Sequence, residues 1–267
     1  MKHSRQIIET VKNESHAPIR AKLFIATPTL GIIRTEWAQA RWGAIVPCNW
    51  SVAGAFYGYM QSFPMGYLVA EAQNIAVCDA INHGSEWLLL LEDDVVIPAD
   101  TFLKLNVYMR EKKIPVVSGL YFVKGNFPEP MVYRGRGNSY YKDWKIGDKV
   151  WVDGVPTGCV LIHMSILKLM FDESPEYMTS NGRKVRKVFE TPAKMWSDPE
   201  TNQPRAAAGT SDLFWCDRVI KEKVLQRAGW KNIAKKQYPF LIDTNIFATH
   251  IDLQTGKTYP MGAVKCQ

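Results

Sequence analysis

An α/β fold built on a mainly parallel sheet is the class this sequence predicts, on three observations. Short apolar, β-prone runs at 22–27, 87–91 and 115–123 alternate with segments of helical spacing. The run at 87–91 passes through an acidic turn into a new helix, the order that a doubly wound sheet with helices on both faces requires. The 267 residues are 46% hydrophobic and 22% charged, which supplies the core of one large domain and excludes a disordered or coiled-coil chain.

The elements follow in order. Residues 1–20 carry a weak helical pattern that ends at Pro18, and read as an N-terminal arm ahead of one domain over 21–267. A strand at 22–27 breaks at Pro28-Thr29-Leu30-Gly31, and a helix is expected at 35–42. Residues 70–82 place apolar side chains at helical spacing and stop at His83-Gly84. The core strand 87–91 (WLLLL) ends in Glu92-Asp93-Asp94, with a helix at 99–110 and a strand at 115–123 behind it. Residues 129–150 read as hairpin-like, 155–163 as a strand and 165–170 as a short helix. From 173 to 209 no periodicity survives, so a long irregular loop of the kind that serves as a lid is expected. A helix at 212–228 ends at Gly229, and 240–250 is a strand pair or an extended segment. The half 21–125 is expected to bind the ligand and 126–252 to carry the rest of the site, with a smaller irregular region on that side.

Lys and Arg number 33 against 26 Asp and Glu, a formal charge of +7 that favours an anionic partner. Cys48, Cys78, Cys159, Cys216 and Cys266 are widely spaced and form no CxxC pair, the pattern of idle thiols in a reducing compartment. The polar N-terminus and the lack of a long apolar run predict a cytoplasmic protein without a membrane span. No obligate protein partner is evident.

Glu92, Asp93 and Asp94 repel one another at the end of a strand, a cost that a bound Mg²⁺ or Mn²⁺ would remove. An acidic turn that caps the following helix would leave the same sequence. Asp212 fits either a general base or a first-turn helix acid beside Thr210 and Ser211, and His250 a metal ligand or an ordinary imidazole beside a strand.

Four segments and their order, Ile25-Ala26-Thr27-Pro28-Thr29, Gln73-Asn74-Ile75-Ala76, 88–98 and 209–216, with 243–252 as a fifth, resemble the GT-A-fold, nucleotide-sugar-dependent glycosyltransferases, especially glycosyltransferase family 2. The resemblance implies a Rossmann-like GT-A domain and an enzyme that moves a sugar from a nucleoside diphosphate, UDP foremost, to an acceptor hydroxyl. It implies Asp94 and His250 as ligands of Mn²⁺ or Mg²⁺, and Glu92 and Asp93 facing ribose and donor sugar. Thr27, Pro28 and Thr29 would meet the nucleobase and ribose, Gln73 and Asn74 the nucleotide, and Gly158 the donor sugar. Asp212 would take the acceptor proton with inversion at the anomeric carbon. Two departures stand out: Ser211-Asp212 replaces an acidic pair, which leaves retention open, and Gln73-Asn74 stands where many relatives have Arg-Asn.

Basic and aromatic side chains at Arg134, Arg136, Tyr140 and Tyr141, the cluster Arg183-Lys184-Val185-Arg186-Lys187, and Trp196 are candidate acceptor contacts. They direct the expectation toward nucleic acid carrying a hydroxylated base, with a saccharide or small metabolite next. The rival classes are a nucleotidyltransferase, which calls for a Gly-rich basic loop that 27–31 lacks, and a non-catalytic sugar- or nucleic-acid-binding protein.

Overall fold

The computed structural model describes residues 23–47, 59–135, 140–197, 199–201 and 203–260. The expected arm at 1–20, Arg136, Cys48 and Cys266 lie outside them.

In chain order the elements begin β1 (Leu23–Ala26), α1 (Thr35–Trp42), β2 (Tyr59–Ser62), α2 (Val69–Asn82), β3 (Trp87–Leu91), β4 (Val95–Val96), α3 (Thr101–Glu111) and β5 (Val116–Leu120). They continue with β6 (Lys149–Val152), β7 (Cys159–His163), α4 (Met164–Glu173), β8 (Glu176–Met178), β9 (Lys184–Arg186), β10 (Ala193–Ser197) and β11 (Pro204–Ala208). The last are α5 (Ser211–Lys221), α6 (Val224–Arg227), α7 (Lys231–Ala234), β12 (Phe240–Phe247), β13 (Thr249–Ile251) and β14 (Thr258–Tyr259).

Seven strands form the central sheet in the order β2-β1-β3-β7-β5-β12-β6. All run in one direction except β7 and β6, which pair antiparallel with their neighbours. The mainly parallel α/β class is therefore as the sequence predicts, with small two- and three-stranded sheets added outside it.

Alternation along the strands sends side chains to two cores. Phe24, Leu88, Leu90, Val160 and Ile162 pack on one face with Ala76, Val77 and Ala80 of α2, Ile166 of α4 and Trp215 of α5. Leu23, Ile25, Leu89, Leu91 and Leu161 pack on the other with Trp37 of α1 and Phe102 and Leu105 of α3. Helices thus cover both faces, and strands buried on both sides read as unbroken apolar runs.

Several expectations are corrected. The stretch 173–209 is not an irregular loop: it holds two antiparallel hairpins, β8–β9 and β10–β11. The first turns through Gly182 at φ +74, where Thr179 N–H donates to the Arg183 carbonyl at 2.8 Å. β8 and β9 have three residues each, of which only Val185 is fully buried, too short a run to leave a periodic signal. The helix expected at 212–228 is broken at Lys223, whose φ of 53° separates α5 from α6. Among the described residues of 129–150 no two strands pair with each other, although Tyr141 N–H donates to the Val132 carbonyl at 2.8 Å. There Tyr133 bridges Gly154, and β6 pairs instead with β12, 88 or more residues later in the chain. The segment 240–250 holds two strands, β12 and β13, which lie in different sheets rather than pairing with each other. Among the described residues no helix is long and apolar enough to cross a membrane.

Candidate functional site

The chain leaves β1 toward β2 on one side and later returns to β3 on the other, so the carboxyl ends of β1 and β3 flank a topological switch point, where open α/β sheets bind ligands. Ala26 is in register with Leu90, which sets the turn 27–31 beside Glu92, Asp93 and Asp94. Between them lies a cleft of about 210 Å³ lined by Pro28, Thr29, Tyr67 and the three acids, with Leu253 on its rim.

The acidic turn is fixed from below. Glu92 N–H donates to the Gly158 carbonyl at 3.0 Å, and the Trp37 indole donates to the Glu92 carbonyl at 2.8 Å. Thr157 Oγ1 donates to Glu92 Oε1 at 3.2 Å and accepts from Gln73 Nε2 at 2.9 Å. Burial, then the charges of Asp94 and Asp212, push the Glu92 carboxyl up to about 8. Burial also raises Asp93, against a hydrogen bond from Thr29, and its Oδ2 is buried without a partner.

Asp94 behaves differently. Burial pushes it up, but contacts with His250 and Lys124 outweigh that and hold it below the usual carboxylate range. The histidine arrives through the pairing of β4 with β13, in which His250 is opposite Val95 and Ile251 N–H donates to the Asp94 carbonyl at 2.8 Å. His250 Nδ1 lies 2.8 Å from the Phe122 carbonyl, an acceptor only, so Nδ1 carries a proton. Its Nε2 faces Asp94 Oδ2 at 3.2 Å, either as an imidazolium donor or with its lone pair free for a cation shared with the carboxylate. The Tyr121 ring stands edge-on to the imidazole at 5.4 Å, and the Tyr121 hydroxyl accepts from Gly158 N–H at 2.7 Å.

Among the described residues no group of three His, Cys, Asp or Glu side chains is arranged to hold a metal. The pair Asp94 and His250, with Asp94 Oδ1 buried and unpartnered, suits an ion that takes its remaining ligands from phosphate and water, the habit of Mg²⁺ and Mn²⁺ at nucleotide sites.

Asp212 sits in the first turn of α5, its Oδ1 accepting from Leu213 N–H at 2.8 Å. Burial raises its carboxyl above the usual range, against a hydrogen bond from Thr210. Its charge reaches Glu92, Tyr121 and Tyr133.

Other expected donor contacts have different surroundings. Thr27 is fully buried, its Oγ1 accepting from Gln61 at 3.3 Å. Gln73 is equally buried and reaches the cleft only through Thr157. Asn74, 1% exposed, clasps the backbone of Phe189: Oδ1 accepts from its N–H at 2.7 Å and Nδ2 donates to its carbonyl at 2.9 Å. It tethers the segment after β9 to α2 and does not face the cleft. Gly158 has the close neighbours expected of it, but they are protein atoms: an added Cβ would lie 2.8 Å from Val95 Cγ2 and 2.7 Å from Tyr121 Cζ.

Among the described residues the expected acceptor cations are engaged within the chain. Arg183 pairs with Asp79, Lys184 with Glu176 at 2.7 Å and Lys187 with Glu190 at 3.5 Å, while Arg186 donates to the carbonyls of Phe171 and Asp172. Arg134 donates to the Trp151 carbonyl and stacks on Tyr141 at 4.0 Å, and Tyr140 packs on Tyr133. Trp196 lies on β10.

Sequence reasoning missed Lys124, Tyr121, Thr157 and Tyr67. Lys124 and Tyr121 follow the carboxyl end of β5, so the strand-end rule that singled out Glu92–Asp94 could have found them.

No family model matches the sequence, and no curated protein does. Among solved structures the chain is similar to A197 from STIV, at 16% identity over 87% of each chain with a TM-score of 0.49. It is similar to S. aureus TarS in complex with UDP-GlcNAc at 12% identity, covering 59% of this chain and 49% of that one, with a TM-score of 0.36. A third similarity is to the CMP:2-keto-3-deoxy-manno-octonic acid synthetase complexed with CTP, at 8% identity over 84% and 88% of the chains and a TM-score of 0.26. At these scores none of the three assigns an activity to this chain.

Proposed function

We propose that this chain is a glycosyltransferase that moves a sugar from a nucleoside diphosphate sugar, UDP-hexose foremost, to an acceptor hydroxyl. The observation that carries the reading is the meeting of Asp94 and His250, 156 positions apart, in an acid-lined cleft at the switch point of the sheet. A diphosphate cannot enter so acidic a cleft unless a cation accompanies it.

Asp94 Oδ2 and His250 Nε2 would hold a divalent ion, Mn²⁺ or Mg²⁺. When bound, such an ion supplies neutralisation of the leaving diphosphate. Pro28, Thr29 and Tyr67 form the wall against which a nucleoside would lie. Asp212, its carboxyl raised by burial, would accept the proton: the acceptor oxygen bonds to the anomeric carbon, the bond from that carbon to the diphosphate oxygen breaks, and the acceptor proton passes to Asp212. This is inversion. The acceptor we favour is a saccharide or other small hydroxyl compound rather than nucleic acid, because the cations at 183–187 and Arg134 are engaged within the chain.

The test is thermal shift with UDP-sugars, with and without Mn²⁺, on the wild type, Asp94→Ala and Asp212→Asn. Stabilisation by UDP-sugar should require Mn²⁺ and vanish in Asp94→Ala. Asp212→Asn should keep it while turnover falls by about 10²–10⁴-fold. Full metal-dependent binding in Asp94→Ala would refute the reading.

A further inference from the structure

Lys124 stands at the tip of the segment that follows β5, which is tied back by the Phe122–Pro130 bridge and by Val123 N–H donating to the Glu129 carbonyl at 3.0 Å. Its ammonium pairs with Asp94 Oδ2, the same oxygen that faces His250 Nε2. Among the described residues that line the cleft none is Lys or Arg, and Arg34, which donates to the carbonyl of the lining residue Leu253, is paired with Glu36 at 2.8 Å.

Two consequences follow from charge alone. An ammonium and a divalent ion that meet at one carboxylate oxygen compete for it, because like charges a few ångströms apart in a partly buried site repel. A divalent ion held between Asp94 Oδ2 and His250 Nε2 therefore works against the Lys124 pair. Asp93 and Asp94 together would balance such an ion, which leaves a diphosphate unmatched unless another cation turns to it. Lys124 is at hand, on a flexible stem with its side chain 31% exposed.

We propose that Lys124 is the resident counter-ion of this cleft, holding Asp94 until metal and donor arrive and then pairing with the donor diphosphate. The donor half rests on the nucleotide-sugar reading above; the competition for Asp94 does not. The proposal predicts effects of opposite sign from one substitution. Lys124→Met removes a competitor for Asp94, so Mn²⁺ binding without nucleotide should tighten by about 2–5-fold, the worth of a partly exposed ion pair. The same variant loses a charged contact to phosphate, so UDP binding at saturating Mn²⁺ should weaken by about 10-fold or more. Lys124→Arg keeps the charge and should restore UDP binding.

Isothermal titration with MnCl₂ alone, then with UDP at saturating Mn²⁺, reads both arms on the full chain. A merely structural lysine would weaken both. Unchanged or weaker Mn²⁺ binding in Lys124→Met, with UDP binding intact in the wild type, overturns the role of Lys124 alone. Absence of UDP binding in every variant, with Mn²⁺ binding tightened by Lys124→Met, overturns the nucleotide reading and the donor half while the competition for Asp94 stands. Absence of Mn²⁺ binding in the wild type overturns both halves.

Discussion

Glu92→Gln isolates the electrostatic cost of the acidic cleft. In the folded chain burial and the charges of Asp94 and Asp212 hold this carboxyl at about 8, against an ordinary value of 4.5. Between those limits the folded state keeps a proton that the unfolded state gives up. The folded state then binds more protons, so stability falls as pH rises through the window and is greatest below it. A single ionisation sets the steepest slope at about 1.4 kcal/mol per pH unit. Gln keeps an oxygen to accept from Thr157 Oγ1, now 3.2 Å from Glu92 Oε1, so the substitution removes the titration with little change in packing. Groups common to both proteins cancel in the comparison. Thermal unfolding at pH 5, 6, 7 and 8, at constant ionic strength and without divalent ions, should show the wild type losing up to about 2–4 °C per pH unit relative to Glu92→Gln. Parallel melting curves across that range, or a wild type that gains on the variant as pH rises, would refute the reasoning.

Asn74→Ala should cost about 2–4 kcal/mol in urea denaturation, since it strands the N–H and carbonyl of Phe189 in a buried place, and should speed proteolysis within 173–190. A loss below about 0.5 kcal/mol would remove its role as a tether. Gly158→Ala should destabilise by about 1–3 kcal/mol, because the new methyl must push Tyr121 or Val95 aside, and a melting temperature equal to the wild type would show that the pocket yields freely. Replacing Arg183 and Lys184 together by Gln should leave turnover within about twofold, as partly exposed ion pairs contribute little; a steep loss of turnover would return these residues to the acceptor site.

What the sequence discloses and what it withholds divide along one physical line. β1, β3, β5 and β7 are buried along almost their whole length, so their apolar runs announce them whatever they pair with. β2, with the sequence YMQS at the sheet edge, and the hairpins β8–β9 and β10–β11 owe their strand state to a neighbour's hydrogen bonds, and nothing in their own composition shows it. The candidate site divides in the same way. Glu92, Asp93 and Asp94 are consecutive, so their repulsion is visible in the string itself. His250 joins them only because β13 pairs with β4, and without the family resemblance its type alone favours an ordinary core or surface imidazole. Asn74 shows the limit from the other side: a polar residue amid apolar helix neighbours has to be satisfied by something, and a ligand and the backbone of Phe189 satisfy an amide equally well. Which one it is depends on a contact 115 residues away. Lys124 falls on both sides of that limit: its place after β5 marks a strand end that the sequence shows, but the acid it meets, Asp94, is supplied only by the fold. Residues whose role is set by their own chemistry can be read in order; those whose role is set by a partner must wait for the pairing that supplies it.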